Sequence, residues 1–388
     1  MRISALFKDF FDSEKAGGLL LLICTAVSIF ITNSYFGVAY LNILNSSFVG
    51  GSITHWINDG LMTLFFLMIG LELERELYNG ELSQKRKAIL PLAGAIGGML
   101  VPAGIYLIFN YGSSLQSGAG VPMATDIAFA LAILSLLGNR VPLALKVFLT
   151  ALAVIDDLGA ILVIAIFYTA SISWVYLFAA TIIWAFLFLL NRLKVHNLVP
   201  YIIGGVALWY CFLHSGVHAS VAGILLAFVV PFGNGATTST SYLLQKYLHK
   251  PIAFFILPLF ALANTAVVIP SEAFLIFTQN YAIGISLGLL VGKALGIFSF
   301  CYVALKLGVA VLPKGVKYKH IAAVSFLGGI GFTMSVFIAM LAFSDAAIIN
   351  NAKLVILVSS VLAGVVGFFL LKICIRKVNK RVKKNEML

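Results

Sequence analysis

Charge is what this chain has least of. Asp, Glu, Lys and Arg make up 10% of its 388 residues, against about 25% in a soluble domain. Hydrophobic residues make up 61%. The shortage excludes a separate soluble domain and leaves one transmembrane transporter-like domain over residues 1–388, with a membrane bundle at 16–374 and a basic tail at 375–388. Paired cysteines are missing too. Cys24, Cys211, Cys301 and Cys374 are scattered without C-x-x-C spacing and read as small apolar residues, not disulfides or metal ligands. Residues 1–15 carry charges and no cleavage-site pattern, so no removable signal peptide is expected. A net charge of +12 would point to nucleic acid in a soluble protein, but its placement argues against that here.

Apolar runs of about 17–25 residues mark membrane helices. They fall near 16–32, 54–79, 88–109, 116–138, 143–168, 173–191, 199–213, 216–231, 251–270, 282–305, 320–343 and 351–374. The fold class expected is therefore an all-α polytopic membrane protein of about twelve transmembrane helices, with the seventh and eighth runs short for full crossings. Basic residues then alternate. They sit at the N-terminus, after the even-numbered spans and in the tail, which places 24 of the 26 Lys and Arg on one side. The positive-inside rule puts that side, with both termini, in the cytoplasm. The tail after Lys372 rests against anionic lipid or serves as a solvated topology anchor.

Spans 3–5 start in the cytoplasm and spans 10–12 start outside, so the two three-helix units are inverted repeats, a recurring transporter architecture. Each has a breaker in its middle span. Span 4 carries Pro122-Met-Ala-Thr-Asp126, and span 11 carries Gly328-Gly-Ile-Gly-Phe-Thr333. Glycine weakens a helix by about 1 kcal/mol relative to alanine. Close helix packing would also explain the glycines, but matched positions in opposed units favour broken helices. Half-helix ends carry partial charges that Asp126 and Lys293 are placed to neutralise.

Asp126, Asp156, Asp157 and Lys293 are the ionisable residues that cannot easily reach an interface, and all four lie in the two inverted units. A carboxylate at a membrane centre costs about 2.5–3.5 kcal/mol on insertion scales, so two adjacent ones in an apolar run call for a role. Successive helical positions point about 100° apart. Lys293 can therefore pair with one aspartate while the other binds ligand. A hard cation such as Na+ takes oxygen ligands, which carboxylates, the Thr125 hydroxyl and unwound carbonyls supply. Proton and cation would compete for those oxygens. In span 2, Glu72, Arg75 and Glu76 share one helix face, as either a solvated helix end or a second functional cluster. Asp59 reads as a helix-start or interface residue, and His218 as an interface residue more than a proton sensor. Gly233–Ser241 reads as a linker.

The chain resembles the NhaA-type bacterial Na+/H+ antiporter family. The resemblance rests on Trp56-Ile-Asn-Asp59, Gly70-Leu-Glu-Leu-Glu-Arg-Glu-Leu77, Ala124-Thr-Asp-Ile-Ala-Phe-Ala-Leu131, Val154-Ile-Asp-Asp-Leu-Gly-Ala160, Ser215-Gly-Val-His218, Gly292-Lys-Ala-Leu-Gly296 and Gly328-Gly-Ile-Gly-Phe-Thr-Met334, which span nearly the whole chain in family order. It implies a transporter, not an enzyme, of the bacterial inner membrane. Cytoplasmic Na+ or Li+ would exchange electrogenically for external protons, by alternating access and with activity rising at alkaline pH. It implies no cofactor, and no partner beyond Na+, Li+, H+, the lipid bilayer and room for a homodimer. By position, Asp157 and Asp156 hold the Na+ and protons, with Asp157 the direct ligand. Lys293 partners Asp156, and Thr125 and Asp126 mark the break in span 4. Glu72, Arg75 and Glu76 match the pH-response region. Two departures stand out. Glu74 occupies a position commonly Lys, and the segment before Trp56 is shorter than the family's external hairpin. An intramembrane aspartyl protease would need acids on facing helices with a Gly-x-Gly-Asp type motif, which is absent. A cation channel would leave broken helices in both units unexplained.

Overall fold

A bilayer core offers no water to backbone N–H and C=O groups, so apolar runs of this length must satisfy them internally as helices. The structure, a computed structural model, describes residues 5–48, 50–169, 172–233 and 235–385. Arg2 of the basic N-terminus, Asn234 of the polar linker and residues 386–388 of the tail lie outside the described residues.

Among the described residues, eight helices are long and apolar enough to cross a membrane, or ten if each of two bent pairs counts as one span. The bent pairs are Ala16–Thr32 with Gly37–Asn45, at 114°, and Tyr318–Gly328 with Phe332–Ala342, at 47°. The protein is thus a nearly all-helical polytopic membrane protein. Among the described residues that criterion does not confirm the expected count of twelve, and the two runs it leaves out are the seventh and eighth. The seventh is the 17-residue helix Val199–Ser215, stopped by Gly216 in the left-handed conformation, φ +86°, which glycine adopts without strain. The eighth run holds the seven-residue helix Val221–Ala227, too short to span. The ninth starts earlier than its hydrophobicity indicates. Ser239, within the polar linker, accepts a hydrogen bond from Tyr242 N–H and caps the helix Thr240–Pro251. A two-stranded hairpin pairs Ser47–Phe48 with Gly51–Ser52.

The chain divides into two compact units. The first consists chiefly of Leu20–Ser83 and Ile161–Val268. Part of its core is formed by Leu67, Leu71, Leu187, Tyr201 and Leu226. The second consists chiefly of Gln84–Ala160 and Ile269–Leu388 and contains nearly all of spans 3–5 and 10–12. In it, Lys85–Asn110 lies against Lys293–Lys306 so closely that a Cβ on Gly97 or Gly296 would strike the other's carbonyl oxygen. Both middle segments are broken. The first runs as a 3-10 turn, Gln116–Met123, through extended Ala124 and Asp126 into the helix Ile127–Leu136. The second breaks between Gly328 and Phe332. A π turn, Gly288–Gly292, directly precedes Lys293, and such turns are frequent at functional sites.

Candidate ion-binding site

The first N–H groups and last carbonyls of a helix have no partners within it. Two helices broken in the same place therefore leave unsatisfied donors and acceptors together. In the second unit the breaks meet: Asp126 N–H donates to Ile330 O at 2.7 Å. The Asp126 carboxylate serves both half-helix starts. Its Oδ1 accepts from Phe129 N–H at 3.0 Å, and its Oδ2 accepts from Thr333 N–H at 3.1 Å and from the Thr333 hydroxyl. A negative charge facing two helix N-termini is favourable. The carbonyl ends meet donors in turn. Lys293 Nζ donates to Met123 O, the end of the 3-10 turn. The Thr125 hydroxyl lies 2.8 Å from Gly328 O, the end of the other half-helix. Ser335 Oγ adds a tie to Val121 O at 2.7 Å.

Lys293, fully buried, also ion-pairs with Asp156 Oδ2. The Thr125 hydroxyl is 2.6 Å from the same oxygen, so its one proton goes either to that carboxylate or to Gly328 O. Asp156 Oδ1 has no hydrogen-bond partner among the described residues. Asp157 follows at the next helical position, 1% exposed, within electrostatic reach of Lys293. Thr125, Asp126, Asp156, Asp157 and Lys293 thus belong to one buried assembly at the breaks. Its oxygens suit a hard cation. Among the described residues, no group of three or more His, Cys, Asp or Glu is arranged to hold a metal.

Glu72, Arg75 and Glu76 lie elsewhere, in the first unit. Arg75 is 3.6 Å from Glu72 and 3.8 Å from Glu76, and it donates to Gln245 at 3.3 Å. Glu72 is buried, as is Glu74, whose Oε2 lies 3.4 Å from the Ser241 hydroxyl. This is not a solvated helix end. The unit holds a further cluster in which Asp59 lies between His55 Nδ1, at 2.8 Å, and His218 Nε2, at 3.0 Å. Sequence reasoning missed His55, Thr333, Ser241, Gln245 and the Met123 and Gly328 carbonyls. Of these, Thr333, Met123 and Gly328 carried a signal, since they lie in the two breakers whose unwound carbonyls were expected as ligands.

Broken helices around buried, mostly acidic charges define a membrane transporter of the ion-exchanging class. The sequence model of the family described as Na+/H+ antiporter 1 matches residues 8–371. A protein named Na(+)/H(+) antiporter NhaA from Flavobacterium psychrophilum is 62% identical over 372 residues, covering 96% of this chain and 97% of that one. Na(+)/H(+) antiporter NhaA 1 from Flavobacterium johnsoniae is 56% identical, at 96% and 98% coverage. The Vibrio parahaemolyticus NhaA is 48% identical, also at 96% and 98%. The chain belongs to the NhaA Na+/H+ antiporter family, whose members are transporters and not enzymes.

Proposed function

We propose that the protein exchanges cytoplasmic Na+ or Li+ for external protons, electrogenically and under pH control. The whole chain acts as one transporter domain in the bacterial inner membrane, with both termini cytoplasmic. Family membership supports sodium–proton exchange itself. The observation that carries the detail is the pair of adjacent buried carboxylates, one tied to Lys293 and the other beside it on the same helix.

Asp157 is the direct ligand of the cation, and Asp156 contributes the oxygen that its partners leave unengaged. Na+ and H+ compete for these oxygens, so loading with one releases the other. Lys293 compensates Asp156, and Thr125 shifts its proton between Asp156 and Gly328 O as the site fills and empties. Asp126 stays with the half-helix ends and keeps the breaks aligned. Alternating access then turns the loaded site from one side to the other, since a site built on helix breaks has two packings within reach. Glu72, Arg75 and Glu76 take the pH-response role, with Glu74 making that cluster more acidic. A homodimer in the lipid bilayer is compatible with all of this.

Dissipation of a proton gradient in everted membrane vesicles tests the reading. Addition of Na+ or Li+ should release protons, and addition of K+ or Ca2+ should not. Equal responses to all four ions, or none to Na+, would overturn it.

A further inference from the structure

Phe332 opens the second half-helix with φ +20°, at the edge of the left-handed region that residues bearing a bulky side chain seldom enter. Such a backbone persists where its surroundings hold it. Two contacts hold Phe332. Its ring packs on Phe129, with centroids 4.8 Å apart. Its N–H donates to Ser360 Oγ at 3.1 Å. Ser360 comes from a different helix, Ala346–Asn385, and is buried, as is Phe332. The next N–H, from Thr333, is the one that donates to Asp126. A helix start needs outside acceptors, and this one divides the task between a neutral hydroxyl and a carboxylate. Because the two N–H groups belong to adjacent residues, fixing the first sets the direction of the second.

We infer that Ser360 is a positioning residue for ion exchange. Its hydroxyl holds Phe332 in the strained conformation and thereby keeps Thr333 and the half-helix N-terminus aimed at Asp126. The inference rests on the reading of the assembled breaks as the ion site. Without the hydroxyl, a buried N–H loses its acceptor and the turn at Phe332 relaxes. The relaxation reaches the cation oxygens through the backbone bond from Asp126 to Ile330 and through Thr125, which touches both Gly328 O and Asp156. Ser360 itself touches none of the proposed ion ligands, so its effect falls on site geometry.

The test is Na+-driven proton release by purified protein in proteoliposomes, over a range of Na+ concentrations, for wild type, Ser360→Ala and Ser360→Thr. Loss of an acceptor for a buried donor should raise the Na+ concentration for half-maximal exchange by about tenfold in Ser360→Ala. The maximal rate should stay within about twofold of wild type. Threonine, which keeps the hydroxyl, should behave as wild type. Unchanged half-saturation in Ser360→Ala overturns the inference, and so do equal losses in the alanine and threonine variants. If the alanine protein fails to insert, Ser360→Cys replaces it, since a thiol is a weak acceptor of similar size. A raised half-saturation then supports the inference and a wild-type value overturns it. A wild-type protein that releases no protons on addition of Na+ overturns the exchange reading and this inference with it. Wild-type exchange beside an unchanged Ser360→Ala overturns the inference alone.

Discussion

Asp156 has an ammonium and a hydroxyl on one oxygen, whereas Asp157 beside it carries the proposed transport chemistry. Asp157→Asn should therefore abolish Na+-driven proton release while the protein still inserts and folds, as read by proteoliposome exchange and by its melting profile. Substantial residual exchange would move the site to another carboxylate, with Asp126 next in line. Lys293→Ala is expected to act on stability. Breaking a buried ion pair by removing one partner typically costs about 3–5 kcal/mol, and Lys293 additionally satisfies Met123 O. The double change Lys293→Gln with Asp156→Asn removes both charges and should recover much of the lost melting temperature. A double variant no more stable than Lys293→Ala would mean that its contact with Met123 O, not the pair, is what matters. The charged members of the site were legible because each lies within an apolar run, where its burial is costly. Ser360 was not. A hydroxyl in a membrane helix usually satisfies itself on the preceding turn, as Thr25 does on Leu21 O and Ser135 on Leu131 O, so its presence in a sequence marks nothing.

At the scale of the element, the breaks make the site. Gly329 shows how tightly they are fitted, because a Cβ there would strike the Leu289 carbonyl, on the π turn just before Lys293. Gly329→Ala should push the break away from that turn. We expect a loss of about 1–3 kcal/mol of stability, the usual cost of overpacking, together with impaired exchange. A fully active and stable alanine variant would show that the break and the π turn move independently. Both breaks were legible, since Pro122 with Asp126 and the glycine run interrupt otherwise apolar segments. The π turns at Trp56–Leu61 and Gly288–Gly292 were not, because one extra residue in a turn leaves hydropathy unchanged. Nor was the shortness of Val221–Ala227. Its apolar run continues past the helix into Phe228–Val230, and composition alone cannot tell a helix from a buried apolar loop.

For the whole molecule, the alternation of basic loops and the scarcity of charge made the polytopic helical class readable from the sequence. The length of each crossing depended on caps such as Ser239 and Gly216, which act through backbone geometry. The proposal of electrogenic exchange rests on the charge count. Three buried acids and one lysine lie in the assembly, enough titratable groups for more than one proton to leave per ion. An imposed membrane potential should drive or oppose exchange in proteoliposomes, and rates indifferent to potential would show one-for-one exchange. The central claim is that Na+ and H+ compete for the same aspartate oxygens. It is tested most directly by the Na+ concentration for half-maximal exchange, measured across pH at saturating driving force. Competition predicts that this concentration rises as pH falls, by roughly tenfold per unit for one competing proton, while the maximal rate holds. A half-saturation constant across pH, with only the maximal rate changing, would place the proton and the cation at separate sites and contradict the account.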